Sequence, residues 1–144
     1  MRQLTYIIFI FAFLVCGAFT VKAQQSDQRK KWEKINKLKI EFVLKKLDLH
    51  QAAEEKFVPI YKRYQTEIGQ VFHEKRMARN NNKNNPERQV QDDLKLDEKY
   101  VNLKKNYLRE FQKVLSSSEI KTLYSAEREF KEELMKHLKD HQSK

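Results

Sequence analysis

The chain has 144 residues but only one cysteine, two glycines, two prolines and one tryptophan. The cysteine, Cys16, sits in an apolar leader, so residues 24–144 contain no thiol. That removes disulfides, thiolate nucleophiles and cysteine metal ligands. No glycine-rich phosphate loop, G-x-S-x-G or H-E-x-x-H occurs. The serines at 116–118 have no His or Asp arranged near them in sequence. The chain therefore reads as a non-enzyme that calls for no cofactor. Gly17, Gly69, Pro59 and Pro86 are the only residues of the two breaker types. Long stretches free of both, rich in Lys, Glu, Leu and Gln, favour helix. No alternation of apolar residues is long enough to argue for a strand.

What is present begins with Met1-Arg2, an apolar run "LTYIIFIFAFLVCGAF" and the small residue Ala23. This order predicts a secretory signal peptide over residues 1–23, cut between Ala23 and Gln24. A retained membrane anchor is the alternative, but the run is short of the roughly 20 apolar residues a span needs. A lipoprotein signal through Cys16 fits less well, because Val15 is bulky where such signals hold a small residue. An exported, periplasmic protein with one domain over residues 24–144 is expected. Without Arg2 and Lys22, 28 basic residues face 20 acidic ones, a net charge of +8. Residues 29–46 hold eight basic residues against Glu33 and Glu41, whereas the six basic and six acidic residues from 116 onward cancel. A localised positive field attracts acidic partners. Export sets nucleic acid aside and leaves acidic or unfolded protein segments and anionic membrane surfaces.

Four helices are predicted, at about 28–47, 50–79, 87–115 and 117–140. Trp32, Ile35, Leu38 and Phe42 recur at helical steps in the first, and Phe57 to Phe72 carry the second. Val90, Leu94, Val101 and Leu108 make the stripe of the third, flanked by Tyr100, Leu103, Tyr107 and Phe111. Ile120, Leu123, Phe130 and Leu134 mark the fourth. The expected core includes Phe42, Phe57, Ile60, Tyr64, Tyr107, Phe111, Leu123 and Phe130. In "SSSE" the Ser116 hydroxyl and the Glu119 carboxylate have the spacing of a reciprocal capping box. At "LDLHQ" the cap is either Asp48 with Gln51 or His50 itself. "NNNKNNPE" reads as a loop, with Pro86 starting the next helix. Pro59 removes a helical amide and predicts a kink. The two short junctions align, Leu49 with Leu115 and Phe57 with Leu123. The expectation is an all-α, elongated and bent fold of two related hairpins joined by the asparagine-rich loop.

The leader, the four helices, and the two leucine-led junctions "LHQAA" (49–53) and "LSSSE" (115–119) resemble the Spy/CpxP-like periplasmic stress proteins. Their hallmark is a repeated L-T-x-x-Q. Both copies depart from it: His50 stands for Thr and Ala53 for Gln, while Ser116 and Glu119 are conservative. The resemblance implies a homodimer of long bent helices. It also implies either an ATP-independent chaperone for non-native polypeptides or an adaptor restraining an envelope-stress sensor, a kinase or an anti-sigma factor.

Lys30, Lys34, Lys37 and Lys45 lie near one helical face and are the expected client-binding residues. A symmetric homodimer is expected on physical grounds too, since thin hairpins leave an apolar face uncovered. Glu133, His137 and His141 share a face at four-residue steps. That spacing suits either a metal ion or favourable placement near a helix C-terminus, and the second reading is preferred.

Overall fold

The computed structural model describes the backbone of residues 19–142 and the side chains of residues 30–140. Most of the expected signal peptide thus lies outside the described residues. Four helices follow in order: α1 (Phe19–Leu47), α2 (Gln51–Asn81), α3 (Pro86–Phe111) and α4 (Ser117–Gln142). No strand occurs among the described residues. The protein is all-α. No described helix is long and apolar enough to cross a membrane.

Four helix ends differ from expectation by two residues or more, the smallest differences being at the ends of α2 and of α4, which runs on to Gln142. Helix α1 is already formed at Phe19 and runs through Ala23. Helix α2 continues to Asn81, where the Asn82 amide caps the Ala78 carbonyl. Helix α3 ends at Phe111 rather than Leu115. There the chain tightens into a turn, with the amides of Val114 and Leu115 both donating to the Phe111 carbonyl at 3.0 and 2.8 Å. Pro59 lies inside α2 and is exposed, and helix is assigned on both sides of it.

The chain divides into two units, Met1–Leu38 and Lys39–Lys144. In the first, the described side chains of α1 leave Trp32 and Leu38 exposed and Ile35 half-buried.

The second unit holds the core. Val43 and Leu47 from α1 meet Phe57, Tyr61, Tyr64 and Ile68 from α2, Tyr107 and Phe111 from α3, and Leu123 and Ala126 from α4. Phe57, Tyr61 and Phe111 are fully enclosed. Phe111 packs edge-on against Tyr64 at 5.5 Å between centroids, and Phe57 stacks on Tyr61 at 5.1 Å. Burying side chains of this size contributes about 1.5–3 kcal/mol each. Phe42, Ile60 and Phe130, expected in the core, are half-buried at its margin, and Phe42 rests on Phe130 at 5.7 Å.

Helices α2 and α3 pack closely against each other along an antiparallel arm. The asparagine-rich segment thus closes a helical hairpin of its own, where the sequence suggested a link between two others. On α3 the expected core residues Tyr107 and Phe111 do face inward, and the aliphatic stripe beside them does not pack as a whole. Tyr107 and Phe111 are buried and Tyr100, Leu103 and Leu108 pack against the core, whereas Val90, Leu94 and Val101 are 59, 66 and 46% exposed. Aromatic residues on the neighbouring face bury more surface than the aliphatic stripe does, so they set the rotation of the helix.

Candidate functional site

The site is assembled from the helix ends inward. Two short caps position the core helices. His50 adopts an extended backbone (φ −66°, ψ 152°), and its Nδ1 accepts from the Ala53 amide at 3.2 Å. Just before it, Asp48 takes a left-handed conformation (φ 47°) while its amide closes α1 onto the Leu44 carbonyl at 3.0 Å. Aspartate tolerates that region better than most residues. Leu49 between them is half-buried against the core. At the second junction the Ser116 amide donates to Glu119 Oε2 at 2.6 Å, and the Glu119 amide donates to Ser116 Oγ at 3.3 Å. The Ser116 hydroxyl also donates to Glu119 Oε2 at 2.6 Å. These bonds to the ionised form hold the Glu119 carboxyl below its ordinary value. Leu115, beside the cap, is buried.

Between these ends lies a polar node built on Glu127 of α4. Its carboxylate accepts from the Tyr61 hydroxyl at 3.1 Å and from Gln65 Nε2 at 2.8 Å, with Tyr64 Oη at 3.5 Å. Lys39 Nζ of α1 completes the node, 3.1 Å from Glu127 Oε1 and 3.0 Å from Gln65 Oε1. The Glu127 and Lys39 side chains are only 13 and 20% exposed. Three helices thus meet at one carboxylate. Burial, reinforced by Glu127, pushes the Tyr61 and Tyr64 phenols well above their usual range. Both remain proton donors throughout the physiological range. Tyr107, which donates to Glu67 at 2.7 Å, is pushed up to about 12 by burial and that bond.

Along the arm the character changes. Ion pairs hold the two helices: Arg79 grips Asp93 at 2.9 Å, Lys75 reaches Asp97 at 2.6 Å, and Lys99 reaches Glu74 at 2.7 Å. The hydrogen bond from Arg79 keeps the Asp93 carboxyl below its usual range. One side of the arm carries an open groove of about 1250 Å³, floored by Val71, Leu96 and Leu103. Its lining also includes Lys62, Arg63, Lys95 and Lys99 and the acidic Glu67, Glu74, Asp92 and Glu98. Elsewhere on the arm Phe72 lies 49% exposed against Tyr100, 5.6 Å between centroids.

The lysines singled out by the sequence are all exposed. Lys30, Lys34 and Lys37 belong to the first unit, on the helix that carries exposed Trp32 and Leu38; Lys45 belongs to the second. Glu133 and His137 are exposed on α4, and the His141 side chain lies outside the described residues. No group of three metal-ligating side chains assembles among the described residues. Sequence reasoning missed the node at Glu127. Its members are 62 to 66 positions apart from α2, and the one available signal was Gln65, a polar residue amid the apolar stripe of α2.

Comparison of the chain with protein-family models, with curated proteins and with solved structures yields no match to any of the three.

Proposed function

We propose that this is a periplasmic envelope-stress protein that binds non-native polypeptides as an ATP-independent chaperone, and that it performs no reaction. The observation that carries this reading is the company its exposed apolar side chains keep. In the first unit Trp32 and Leu38, 41 and 48% exposed, share a helix with exposed Lys30, Lys34 and Lys37. On the arm, exposed Phe72 and the groove floored by Val71 and Leu103 sit among charges of both signs. Apolar contacts give such a surface grip on an unfolded chain, while charge gives rapid, reversible capture. The resemblance of the leader and the two leucine-led junctions to Spy/CpxP-like proteins supports the same reading.

The test is suppression of aggregation of a reduced, acidic model protein without nucleotide, at low and high salt. Exposed charges are screened beyond about 8 Å at physiological ionic strength. Protection should therefore weaken, but persist, as salt rises. Reversing Lys30, Lys34, Lys37 and Lys45 to Glu should reduce protection while the helical spectrum is unchanged. Absence of protection, with saturable binding to the periplasmic domain of one stress sensor, would select the adaptor reading instead.

A further inference from the structure

The first unit holds a segment of α1 with nearly one sign of charge and one exposed apolar side. Residues 29–38 carry five basic residues and one acidic, a net +4. Trp32, Ile35 and Leu38 recur at steps of three and so lie along one side of the helix. Trp32 and Leu38 are 41 and 48% exposed, and Ile35 is half-buried. Lys30, Lys34 and Lys37 take the opposite side, and Lys31 stands a turn ahead of Ile35, at the head of the apolar side. All four lysines are exposed. Apolar residues that include a tryptophan on one side, with lysines on the other, are the pattern of a helix that lies in the plane of a membrane surface. The sequence ahead of it points the same way. The apolar run "LTYIIFIFAFLVCGAF" ends at Phe19, where α1 begins. A leader of that kind enters the bilayer during export and so delivers α1 to the membrane surface.

We propose that residues 29–38 bind the surface of an anionic phospholipid bilayer, with Trp32, Ile35 and Leu38 at the boundary of headgroups and acyl chains and the lysines among the phosphates. An indole ring favours that depth, where its apolar body is covered and its N–H stays wet. The long stems of Lys31 and Lys34, which border the apolar side, let their ammonium groups reach back to the headgroups. Charge separates this occupant from a polypeptide. The groove of the arm is lined by four basic and four acidic side chains, a match for a chain that carries both signs. Segment 29–38, at +4 with a single acidic residue, matches a surface of one sign, and each lysine near such a surface adds to the attraction. Lipid binding goes beyond the chaperone reading and does not depend on it, because the groove and Phe72 in the second unit supply a surface of their own for a client.

Trp32 is the only tryptophan of the chain, so its fluorescence reports on this segment alone. The exported protein, recovered from the periplasm of an expressing cell, is titrated with vesicles of phosphatidylglycerol and phosphatidylcholine, and with vesicles of phosphatidylcholine alone. With the anionic vesicles the Trp32 emission should shift to the blue and the protein should sediment with the lipid. With the neutral vesicles both effects should be at least tenfold weaker, and high salt should weaken the anionic binding. Lys30→Glu with Lys31→Glu and Lys34→Glu should reduce binding at least tenfold, and Trp32→Ala with Leu38→Ala, followed by cosedimentation, about tenfold. Helicity should be unchanged in both variants, since none of these side chains belongs to the core. The leader is in the same state in every variant, so it cannot produce the differences. Equal binding to the two kinds of vesicle would overturn the proposal, as would emission that stays as it is in water or variants that bind like the unaltered protein. A blue shift with a reduced, unfolded protein but not with vesicles would also overturn it, and would give this segment to a polypeptide. Suppression of aggregation without vesicles tests the chaperone reading separately, so the failure of either is read apart from the other.

Discussion

The two ends of the α2–α3 arm are built on different physics. At the junction end, Phe57, Tyr61, Tyr64, Tyr107 and Phe111 interlock, and segments of α1 and α4 close over them. At the loop end, Arg79, Lys75 and their aspartates tie two helices together while Phe72, Met77 and Leu94 stay in water. Exposed ion pairs are worth about 0–1 kcal/mol each, far less than a buried aromatic ring. The junction end therefore stabilises the fold, and the loop end leaves large apolar side chains exposed.

The comparison breaks most visibly under truncation. Phe111→Ala should lower stability by about 3–5 kcal/mol, read as a shift of the urea midpoint. Met77→Ala, at a residue 46% exposed, should stay within about 0.5 kcal/mol. Equal losses at the two sites would dissolve the distinction.

A smaller effect sharpens it within the core. Glu127→Leu strands Lys39, Tyr61 and Gln65 together and should cost about 3 kcal/mol, discounted because the carboxylate keeps some exposure. Lys39→Met leaves the carboxylate its three other neighbours and should cost about 1 kcal/mol. The double variant should cost less than the sum of the two, by about 1 kcal/mol or more. Strict additivity in chemical denaturation would mean that the node does not act as a unit.

The smallest effect lies at the cap. Ser116→Ala should cost about 1 kcal/mol. It should also blunt the fall in thermal stability on acidification. The Glu119 carboxyl is held below its ordinary 4.5 in the folded chain, first by the Ser116 side chain and then by its backbone amide. Its contribution is therefore fully present above pH 4.5 and is lost as the pH falls through the lower folded value. Melting curves between pH 7 and pH 3 check this. An unchanged acid profile in Ser116→Ala would remove Glu119 as a source of that dependence.

Much of the architecture was legible because its causes are local. The scarcity of Gly and Pro, the helical spacing of Phe57, Tyr64 and Ile68, and the run of asparagines before Pro86 each act within a few residues. The faces of α3 were legible only in part. Tyr107 and Phe111 were expected in the core and are buried, whereas the exposure of Val90, Leu94 and Val101, which share the helical periodicity, is decided by packing. The lysines of α1 could be picked out as a charge run, but Lys39, within that run, is the one drawn into the Glu127 node.

The sequence by itself determined an all-helical chain, the junction at 48–50 and the capping box of Ser116 with Glu119, because propensity and spacing need no distant partner. Only the tertiary structure decided that α2 pairs with α3, that Val90, Leu94 and Val101 face water, and that Glu127 gathers Lys39, Tyr61 and Gln65. Those outcomes depend on which faces compete for burial, and on charges more than sixty residues apart whose cost of leaving water is met only when they meet.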